Sequence, residues 1–316
     1  MLRAASAVAL AALIVAVAAP APHSHGSLLA APAMLTSGSA DAGGPAEWGF
    51  GLIGAPEIWR ISRGAPSVVI AVVDTGVDVA VPDLAGAAEP GVNVLDGTRN
   101  VVDGVGHGTL VAEVALGRGT TSDAGLGMCW RCTLLPVKVA AAGGTVSAAS
   151  LAAGIRWAAD HGANVVNVSL VLSAPDADVA AAVAYAEARG ALVVAAAGND
   201  GGTDPTYPAA YPGVLGVVAT DEHDRPYPWA QRGPWARLTA PGCARAAAAD
   251  GAAVDFCGSS AAAPAVSGLA GLVWAATPAA TASSVAARLV GTAVPVPHGV
   301  ASGGRIDAAA LAATLK

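Results

Sequence analysis

The stretch Ser67-Val68-Val69-Ile70-Ala71-Val72-Val73-Asp74 is an apolar, largely β-branched run that ends at a carboxylate. A strand that is apolar on both faces is typical of a parallel sheet covered by helices on both sides. Outward from this run, further strands are predicted over 133–139, 164–172, 191–197 and 214–220, and helices over 107–116, 147–161, 176–189 and 260–276. Because strands and helices alternate, we predict an α/β fold, a three-layer open parallel sheet with helices on both faces.

Four polar residues fall at the predicted boundaries of these elements. Asp74 and Asn199 follow the carboxyl ends of strands, whereas His107 and Ser260 begin helices. In open parallel sheets the ligand crevice lies outside the carboxyl ends of the strands. The four residues are therefore expected to lie together along one edge of the sheet.

Three of these residues supply the groups of a nucleophilic triad. A serine becomes a good nucleophile when a base accepts its proton, so His107 is the candidate base for Ser260. Asp74 would orient the imidazole and stabilise the imidazolium. Asn199 and the backbone N–H of Ser260 would donate hydrogen bonds to the oxyanion of a tetrahedral intermediate.

Two other readings of the same residues are weaker. Asp74-Thr75-Gly76 is also the aspartic-protease motif, but that mechanism needs a second copy, which the chain lacks. The spacing of Gly49, Gly51 and Gly54 fits a dinucleotide fingerprint, but no strand precedes it.

The overall composition limits the class of partner. The chain has 316 residues, of which 54% are hydrophobic and 12% charged, and its net charge is -7. This supplies ample material for a core, and the absence of a basic stripe argues against nucleic acid. The predicted partner is a polypeptide substrate, and the protein is expected to act as a monomer.

The first residues are typical of a secretory signal. A short basic start at 1–3 precedes an almost wholly apolar run at 4–19, which predicts a signal peptide over 1–26 without fixing its cleavage site. Residues 27–46 are rich in Pro, Ala, Ser and Gly and are expected to form a disordered lead-in. Residues 47–316 are expected to form one catalytic domain with no membrane span, so the predicted location is secreted or cell envelope.

The chain contains four cysteines, Cys129, Cys132, Cys243 and Cys257. In an exported protein they favour disulfides, and the sequence alone leaves three pairings open. We favour the two local pairs, Cys129–Cys132 and Cys243–Cys257. A four-cysteine zinc site and a thioredoxin-like redox role for Cys129-x-x-Cys132 stay as alternatives.

Taken together, the motifs resemble those of the subtilisin-like serine proteases, the subtilase family. The matching segments are Asp74-Thr75-Gly76, His107-Gly108-Thr109, Ala196-Ala197-Gly198-Asn199 and Gly258 to Pro264. Within the last segment, aligning Gly258 and Pro264 makes Ser260 the nucleophile rather than Ser259. The resemblance covers about residues 48–311 and implies a subtilisin-like fold and a serine endopeptidase that works through an acyl-enzyme.

The resemblance also implies where an extended substrate would bind. The implied substrate-binding residues are Gly143, Gly144, Ser169, Leu170, Val171, Ala197, Gly198 and Thr206. Val171 and Leu172 replace two glycines that normally line the entrance of the S1 pocket. We therefore expect a preference for small or slender P1 side chains.

No cofactor is predicted. Asp83 matches a calcium ligand of some subtilases, but the loop that supplies most other ligands is not recognisable within 117–127, so calcium lacks support. One alternative from another class is a non-catalytic binding protein on the same scaffold. The bulky pair Val171-Leu172 is the feature that favours it.

Overall fold

The computed structural model describes residues 28–29, 34–36, 48–120, 124–297 and 299–315. The predicted signal peptide, 1–26, and most of the predicted lead-in, 27–46, lie outside the described residues. The boundaries between these segments and the catalytic domain stay predictions.

Strands and helices alternate through most of the described chain. The strands are β1 Leu28–Leu29, β2 Met34–Thr36, β3 Val69–Asp74, β4 Val92–Asn93, β5 Thr133–Lys138, β6 Thr145–Val146, β7 Val165–Val168, β8 Leu192–Ala196, β9 Leu215–Thr220, β10 Leu238–Pro241, β11 Cys243–Ala247 and β12 Ala253–Cys257. The helices are α1 Trp48–Leu52, α2 Ala55–Trp59, α3 His107–Leu116, α4 Ala148–Asp160, α5 Ala177–Ala188, α6 Ser259–Ala276, α7 Ala282–Gly291 and α8 Ala308–Ala313.

A seven-stranded sheet forms the middle layer, in the order β10-β9-β8-β7-β3-β5-β4. All of its neighbouring strands are parallel. The predicted α/β fold with a parallel sheet is confirmed. Asp74, the last residue of β3, therefore lies at the carboxyl edge of this sheet, as does the loop that follows β8.

The run that predicts the fold is buried on both faces of the sheet. In β3, Ile70 and Val72 pack in the core on the side of α3 and α6. The alternate residues Ala71 and Val73 pack in the core on the side of α4 and α5. Successive side chains of a strand point to opposite faces, so a strand between two helical layers must be apolar at every position.

Helices α4 and α5 begin at polar side chains that cap them. Ser147 caps α4 in a reciprocal capping box with Ser150, and the Asp176 carboxylate accepts from the backbone N–H groups of Asp178 and Val179 in α5. Such caps satisfy N–H groups that have no partner inside the helix. The helices predicted over 147–161 and 176–189 are thus observed, with the outermost residues serving as caps.

Helix α6 is the central helix of the core. With 18 residues and a mean hydropathy of 1.3, it is the one helix in the described part of the chain that is long and apolar enough to cross a membrane. However, 89% of this segment is buried inside the fold. Its apolar character on all sides is what a helix packed between a sheet and other helices requires.

Several features of the fold lie outside the predicted pattern, among them strands β1 and β2 within the lead-in that was predicted to be disordered. The strand predicted over 164–172 ends at Val168, and Leu172 instead pairs with Tyr207 in an isolated antiparallel bridge. The segment 243–257 forms the antiparallel hairpin β11–β12, in which Cys243 lies opposite Cys257.

The structure contains the two favoured disulfides, Cys129–Cys132 and Cys243–Cys257, so these cysteines are not arranged as a zinc site.

Candidate active site

Asp74 and His107 form a buried pair at the carboxyl edge of the sheet. The Nδ1 atom of His107 lies 2.7 Å from Oδ1 of Asp74, and Oδ1 also accepts from the backbone N–H of Thr75 at 2.7 Å. His107 is 5% exposed and Asp74 is fully buried. Because a carboxylate accepts hydrogen bonds, the ring proton is placed on Nδ1. The other ring nitrogen, Nε2, is then unprotonated in the neutral imidazole.

Glycines allow the start of α3 to approach the end of β3 this closely. A Cβ atom on Gly108 would lie 2.1 Å from the carbonyl oxygen of Gly76 and 2.9 Å from Cβ of Asp74. Neither distance is tolerable for a real side chain. The residue after His107 must therefore lack a side chain if the imidazole is to reach Asp74.

A second buried carboxylate, Asp103, organises the turn before His107. Its Oδ1 accepts from the backbone N–H groups of Val105 and Gly106, and its Oδ2 accepts from the backbone N–H and the hydroxyl of Thr109. The hydroxyl of Thr75 also donates to Oδ1, at 2.8 Å. Asp103 thus ties the residue after Asp74 to the first turn of α3. No motif in the sequence marks Asp103 as part of the site.

The environment of His107 has opposing effects on its basicity. Burial alone would lower the pKa of His107. The charge and the hydrogen bond of Asp74 and the charge of Asp103 raise the pKa by more, so the pKa of His107 lies above 6.5. The imidazolium is thus stabilised by two carboxylates.

Ser260 is the second residue of α6 and is buried at its amino-terminal end. Its Oγ donates to the carbonyl oxygen of Ser169 at 3.4 Å, and among the described residues Nε2 of His107 has no hydrogen-bond partner. Four residues before Ser260, the ring of Phe256 meets the imidazole edge-on, with centroids 5.6 Å apart. The segment that leads into α6 thus contacts His107, the first residue of α3, but the structure does not form a Ser260–His107 hydrogen bond. Such bonds often tighten only when substrate binds.

Asn199 lies in the loop after β8, beside the start of α6. Its Oδ1 accepts from the backbone N–H and the hydroxyl of Ser259, at 2.9 and 3.1 Å. Its Nδ2 is buried and has no hydrogen-bond partner among the described residues. A buried donor without a partner costs about 1–3 kcal/mol. A ligand oxygen beside Nδ2 would therefore recover a bond that the fold leaves unmade.

Ser259 is the residue that orients this amide. Besides its two contacts with Asn199, its hydroxyl accepts from the backbone N–H of Gly198 at 2.9 Å. Gly258, at φ +139°, keeps the adjacent space open, since a Cβ there would come within 3.1 Å of the Asn199 Nδ2. In the sequence, Ser259 stands out only as the serine next to the predicted nucleophile. Its position between Gly258 and Ser260 was the one available signal.

Two of the predicted substrate-binding residues, Ser169 and Thr206, contact Ser260 or the loop before Asn199. Ser169 contacts Ser260 directly, since its hydroxyl donates to the Ser260 carbonyl oxygen at 3.4 Å. Thr206 donates to the carbonyl oxygen of Ala197 at 2.6 Å and so braces the loop before Asn199. Leu170 is fully buried and packs in the core.

Of the two bulky residues that replace glycines, only one faces this loop. Val171 lies 3.7 Å from the Cβ position that Gly198 would have. Leu172 is instead 3% exposed and packs in the core beside α4 and α5. Gly143 and Gly144, also predicted to bind substrate, form a turn immediately before β6 with φ of +94° and +80°, in which Gly143 is exposed and Gly144 is buried. A side chain would strain either position.

A pair of buried carboxyl groups, Glu113 and Asp83, lies near the carboxyl-terminal end of α3. Burial, together with the nearby charge of Asp83, raises the pKa of Glu113 to about 8. Both carboxyl oxygens of Glu113 lack a hydrogen-bond partner in the described part of the chain. Oδ1 of Asp83 accepts from the backbone N–H of Thr120 at 2.6 Å.

These two carboxyl groups do not amount to a metal centre. Calcium takes six to eight oxygen ligands. No group of three or more His, Cys, Asp or Glu that could hold a metal occurs within residues 48–120, 124–297 and 299–315. The residues present give no basis for assigning a calcium ion to Asp83.

Comparisons with known proteins identify the family of the chain. A family model described as the subtilase family matches residues 65–309. Thermitase from Thermoactinomyces vulgaris is 35% identical over 248 residues, which cover 78% of this chain and 88% of that protein. A thermophilic serine proteinase from Bacillus sp. (strain AK1) is also 35% identical, over 68% of this chain, and the match spans 54% of that longer protein.

The fold is also shared with a solved structure of a protease from Pseudoalteromonas arctica PAMC 21717. The TM-score is 0.72 at 25% sequence identity, and the alignment covers 84% of this chain and 94% of the other. Sequence and structure therefore point to the same group of enzymes. The chain belongs to the subtilase family of serine-type endopeptidases, which hydrolyse polypeptides.

Proposed function

We propose that Ser260 is the nucleophile of this endopeptidase, His107 its general base and Asp74 the residue that orients the base. Oγ of Ser260 attacks the carbonyl carbon of the scissile peptide bond while its proton passes to Nε2 of His107. The resulting imidazolium is stabilised by the Asp74 carboxylate. It then returns the proton to the leaving amine, and an acyl-enzyme on Ser260 remains until water repeats the sequence.

The observation that carries this proposal is the 2.7 Å hydrogen bond between Nδ1 of His107 and Oδ1 of Asp74. It directs the unprotonated Nε2 away from the carboxylate, as a base requires. The pair is buried, so bulk water does not weaken the interaction.

Asn199 is proposed as the oxyanion donor. Its Oδ1 is held by Ser259, which leaves the buried Nδ2 as the free donor of the amide. The backbone N–H of Ser260, at the amino-terminal end of α6, is the second donor. The positive end of the helix dipole favours the same negative charge.

For the substrate, we propose that an extended polypeptide lies between the segment starting at Ser169 and the turn Gly143-Gly144. The P1 side chain would enter between Val171 and the loop of Ala197 and Gly198, with Thr206 behind it. The bulk of Val171 beside Gly198 supports a preference for small or slender P1 residues, with Leu172 buried behind it rather than lining the pocket.

We further propose that the enzyme is exported and acts as a monomer without a resident cofactor. The basic start and apolar run at 1–19 support export through a signal peptide. The two disulfides are in keeping with an oxidising compartment.

Covalent labelling with a fluorophosphonate probe tests the proposed roles. The probe should label the wild-type protein, and Ser260→Ala should abolish labelling while the protein stays folded. Ser259→Ala is the matched control, because it removes the neighbouring hydroxyl and should slow labelling without abolishing it. Labelling of a folded Ser260→Ala variant, or none of a folded wild type, would refute the assignment and favour a binding role.

A further inference from the structure

Lys138 is the last residue of β5, and its backbone lies directly beside that of Asp74. The two residues are opposite each other in the parallel pair of strands β3 and β5. The backbone N–H of the next residue, Val139, donates to the carbonyl oxygen of Asp74 at 2.9 Å. On its other side, Lys138 lies opposite Asn93 of β4. Two neighbouring strands therefore fix the base of the Lys138 side chain.

The ammonium group of Lys138 joins two backbone segments of the candidate active site. Its Nζ donates to the carbonyl oxygen of Thr75, the residue after Asp74. It also donates, at 3.1 Å, to the carbonyl oxygen of Val102 in the loop that leads to α3. Hydrogen bonds from a charged donor are about twice as strong as those between neutral groups. One cation thus ties the end of β3 to the loop before His107.

The two segments that Lys138 joins are in direct contact. The backbone N–H of Val77 donates to the carbonyl oxygen of Val101 at 2.8 Å. A Cβ atom on Gly76 would lie 2.5 Å from that oxygen and 2.9 Å from the carbonyl oxygen of Val102. Because one ammonium group reaches both the Val102 and the Thr75 carbonyl oxygens, these two partial negative charges converge on one point. Without a donor between them they would repel each other.

Thr75 is held from two directions by groups of opposite charge. Its carbonyl oxygen accepts from the Lys138 ammonium group, whereas its hydroxyl donates to the Asp103 carboxylate at 2.8 Å. The same hydroxyl accepts from the backbone N–H of Gly108, the second residue of α3, at 3.0 Å. Thr75 and Gly108 each adjoin one member of the buried carboxylate–imidazole pair. A shift of Thr75 would therefore alter the hydrogen bond within that pair.

We propose that Lys138 is a positioning residue for peptide hydrolysis. By holding Thr75 against the loop before His107, it keeps the Asp74 carboxylate within hydrogen-bond distance of the base. The inference rests on the proposed function, because it takes Asp74 and His107 as the orienter and the base. Lys138 acts in this role through two backbone carbonyl groups and transfers no proton.

The size of the effect follows from the precision that proton transfer requires. A misplacement of about 1 Å, even one caused far from the reacting atoms, lowers a rate about 100-fold. Lys138→Met keeps the length of the side chain but removes its charge and its donors, so kcat should fall about 10- to 100-fold. KM should change much less, because both hydrogen bonds of the ammonium group go to the segments next to the base and its orienter.

Arg118 offers a matched control for Lys138. It is also half-buried, and its guanidinium likewise donates to two backbone carbonyl oxygens, those of Ala85 and Gly86, at 2.8 and 3.2 Å. Arg118 follows the carboxyl-terminal end of α3, whereas His107 is the first residue of that helix. Arg118→Met therefore removes the same kind of bridge away from the site and should leave kcat and KM unchanged. Lys138→Arg keeps a cationic donor and should recover most of the lost kcat.

Active-site titration separates positioning from a loss of folded protein. Fluorophosphonate labelling, run to completion, gives the concentration of active sites in each preparation, and kcat is expressed per active site. The proposal expects a lower kcat per active site in Lys138→Met than in Arg118→Met. Equal values, or a Lys138→Met protein that loses only active-site content, would overturn it.

An NMR measurement separates failure of this inference from failure of the proposed function. The proton between Nδ1 of His107 and the Asp74 carboxylate gives a resonance far downfield of the amide protons, as its 2.7 Å hydrogen bond requires. In the Ser260→Ala background the resonance should persist with Arg118→Met, and should move upfield or be lost to exchange with Lys138→Met. This result supports the positioning role even if the wild type hydrolyses no peptide. An unchanged resonance in Lys138→Met, when the wild type is active, overturns the positioning role alone.

Discussion

The substitution Glu113→Gln should remove a pH-dependent weakness from the fold. Glu113 lies in α3 with its carboxyl group buried, and a Cβ on Gly117 would come within 2.8 Å of Oε2. The group is therefore closely enclosed. Because burial raises the pKa of Glu113 to about 8 from 4.5, the folded protein binds this proton more tightly than the unfolded chain. The resulting stabilisation is complete below pH 4.5 and is lost as the pH rises through about 8.

The size of the effect follows from the pKa difference. A shift of one pKa unit corresponds to about 1.36 kcal/mol, so a rise from 4.5 to about 8 sets an upper bound of about 5 kcal/mol. Gln has nearly the same shape and stays neutral. At pH 9 the Glu113→Gln protein should therefore be more stable than the parent by up to about 5 kcal/mol, whereas near pH 4.5 the two should be equally stable.

Thermal unfolding across pH measures this difference. Both proteins would carry Ser260→Ala so that self-digestion does not interfere. For a chain of this size, 1 kcal/mol corresponds to roughly 2 °C in Tm, so the gap should open from near zero at pH 4.5 to several degrees at pH 9. Glu89→Gln, at an exposed position, is the matched control and should show no such gap. Parallel Tm curves for Glu113→Gln and its parent would refute the reasoning.

Three further predictions concern the active site. Asp74 and Asp103 hold the pKa of His107 above 6.5, so the acid limb of the pH profile of kcat/KM should have its midpoint above that value. The substitution Asp103→Asn should move this midpoint to lower pH. An unmoved midpoint would contradict the role of Asp103. The substitution Asn199→Ala should lower kcat by about 10²- to 10³-fold with little change in KM. This is the loss in kcat known for the oxyanion-hole asparagine of subtilisin, a member of the same family. A change in KM alone would show that Asn199 only binds substrate. The disulfide Cys243–Cys257 closes a loop with a sequence separation of 14 next to Ser260, so the double substitution Cys243→Ser/Cys257→Ser should lower the free energy of unfolding by about 3 kcal/mol. An unchanged Tm and an unchanged activity in this variant would contradict the prediction.

Much of the fold and the candidate site could be predicted from the sequence because the signals are local. A strand buried on both faces must be apolar throughout, so the run ending at Asp74 indicates a central strand of a covered parallel sheet. Asp74 and His107 then fall at a strand end and a helix start, where the topology of the sheet brings them together.

The residues that the sequence analysis missed depend on contacts between distant segments. Asp103 accepts hydrogen bonds both from Thr75, next to Asp74, and from the first turn of α3. The spacing of these residues in the sequence gives no sign of these contacts. Ser259 orients Asn199, sixty residues away in sequence, through contacts that only the folded chain creates. The pKa of Glu113 likewise depends on the packing of the chain around the end of α3.

The central claim is that Ser260, His107 and Asp74 act together in an acyl-transfer reaction, and trapping the acyl-enzyme tests it most directly. A slowly deacylated peptidyl ester is mixed with the protein, the reaction is quenched within seconds, and the mass of each proteolytic fragment is measured. The account predicts that the acyl group is found on Ser260 and that accumulation is lost in His107→Ala. Turnover without any adduct, or an adduct on another residue, would contradict it.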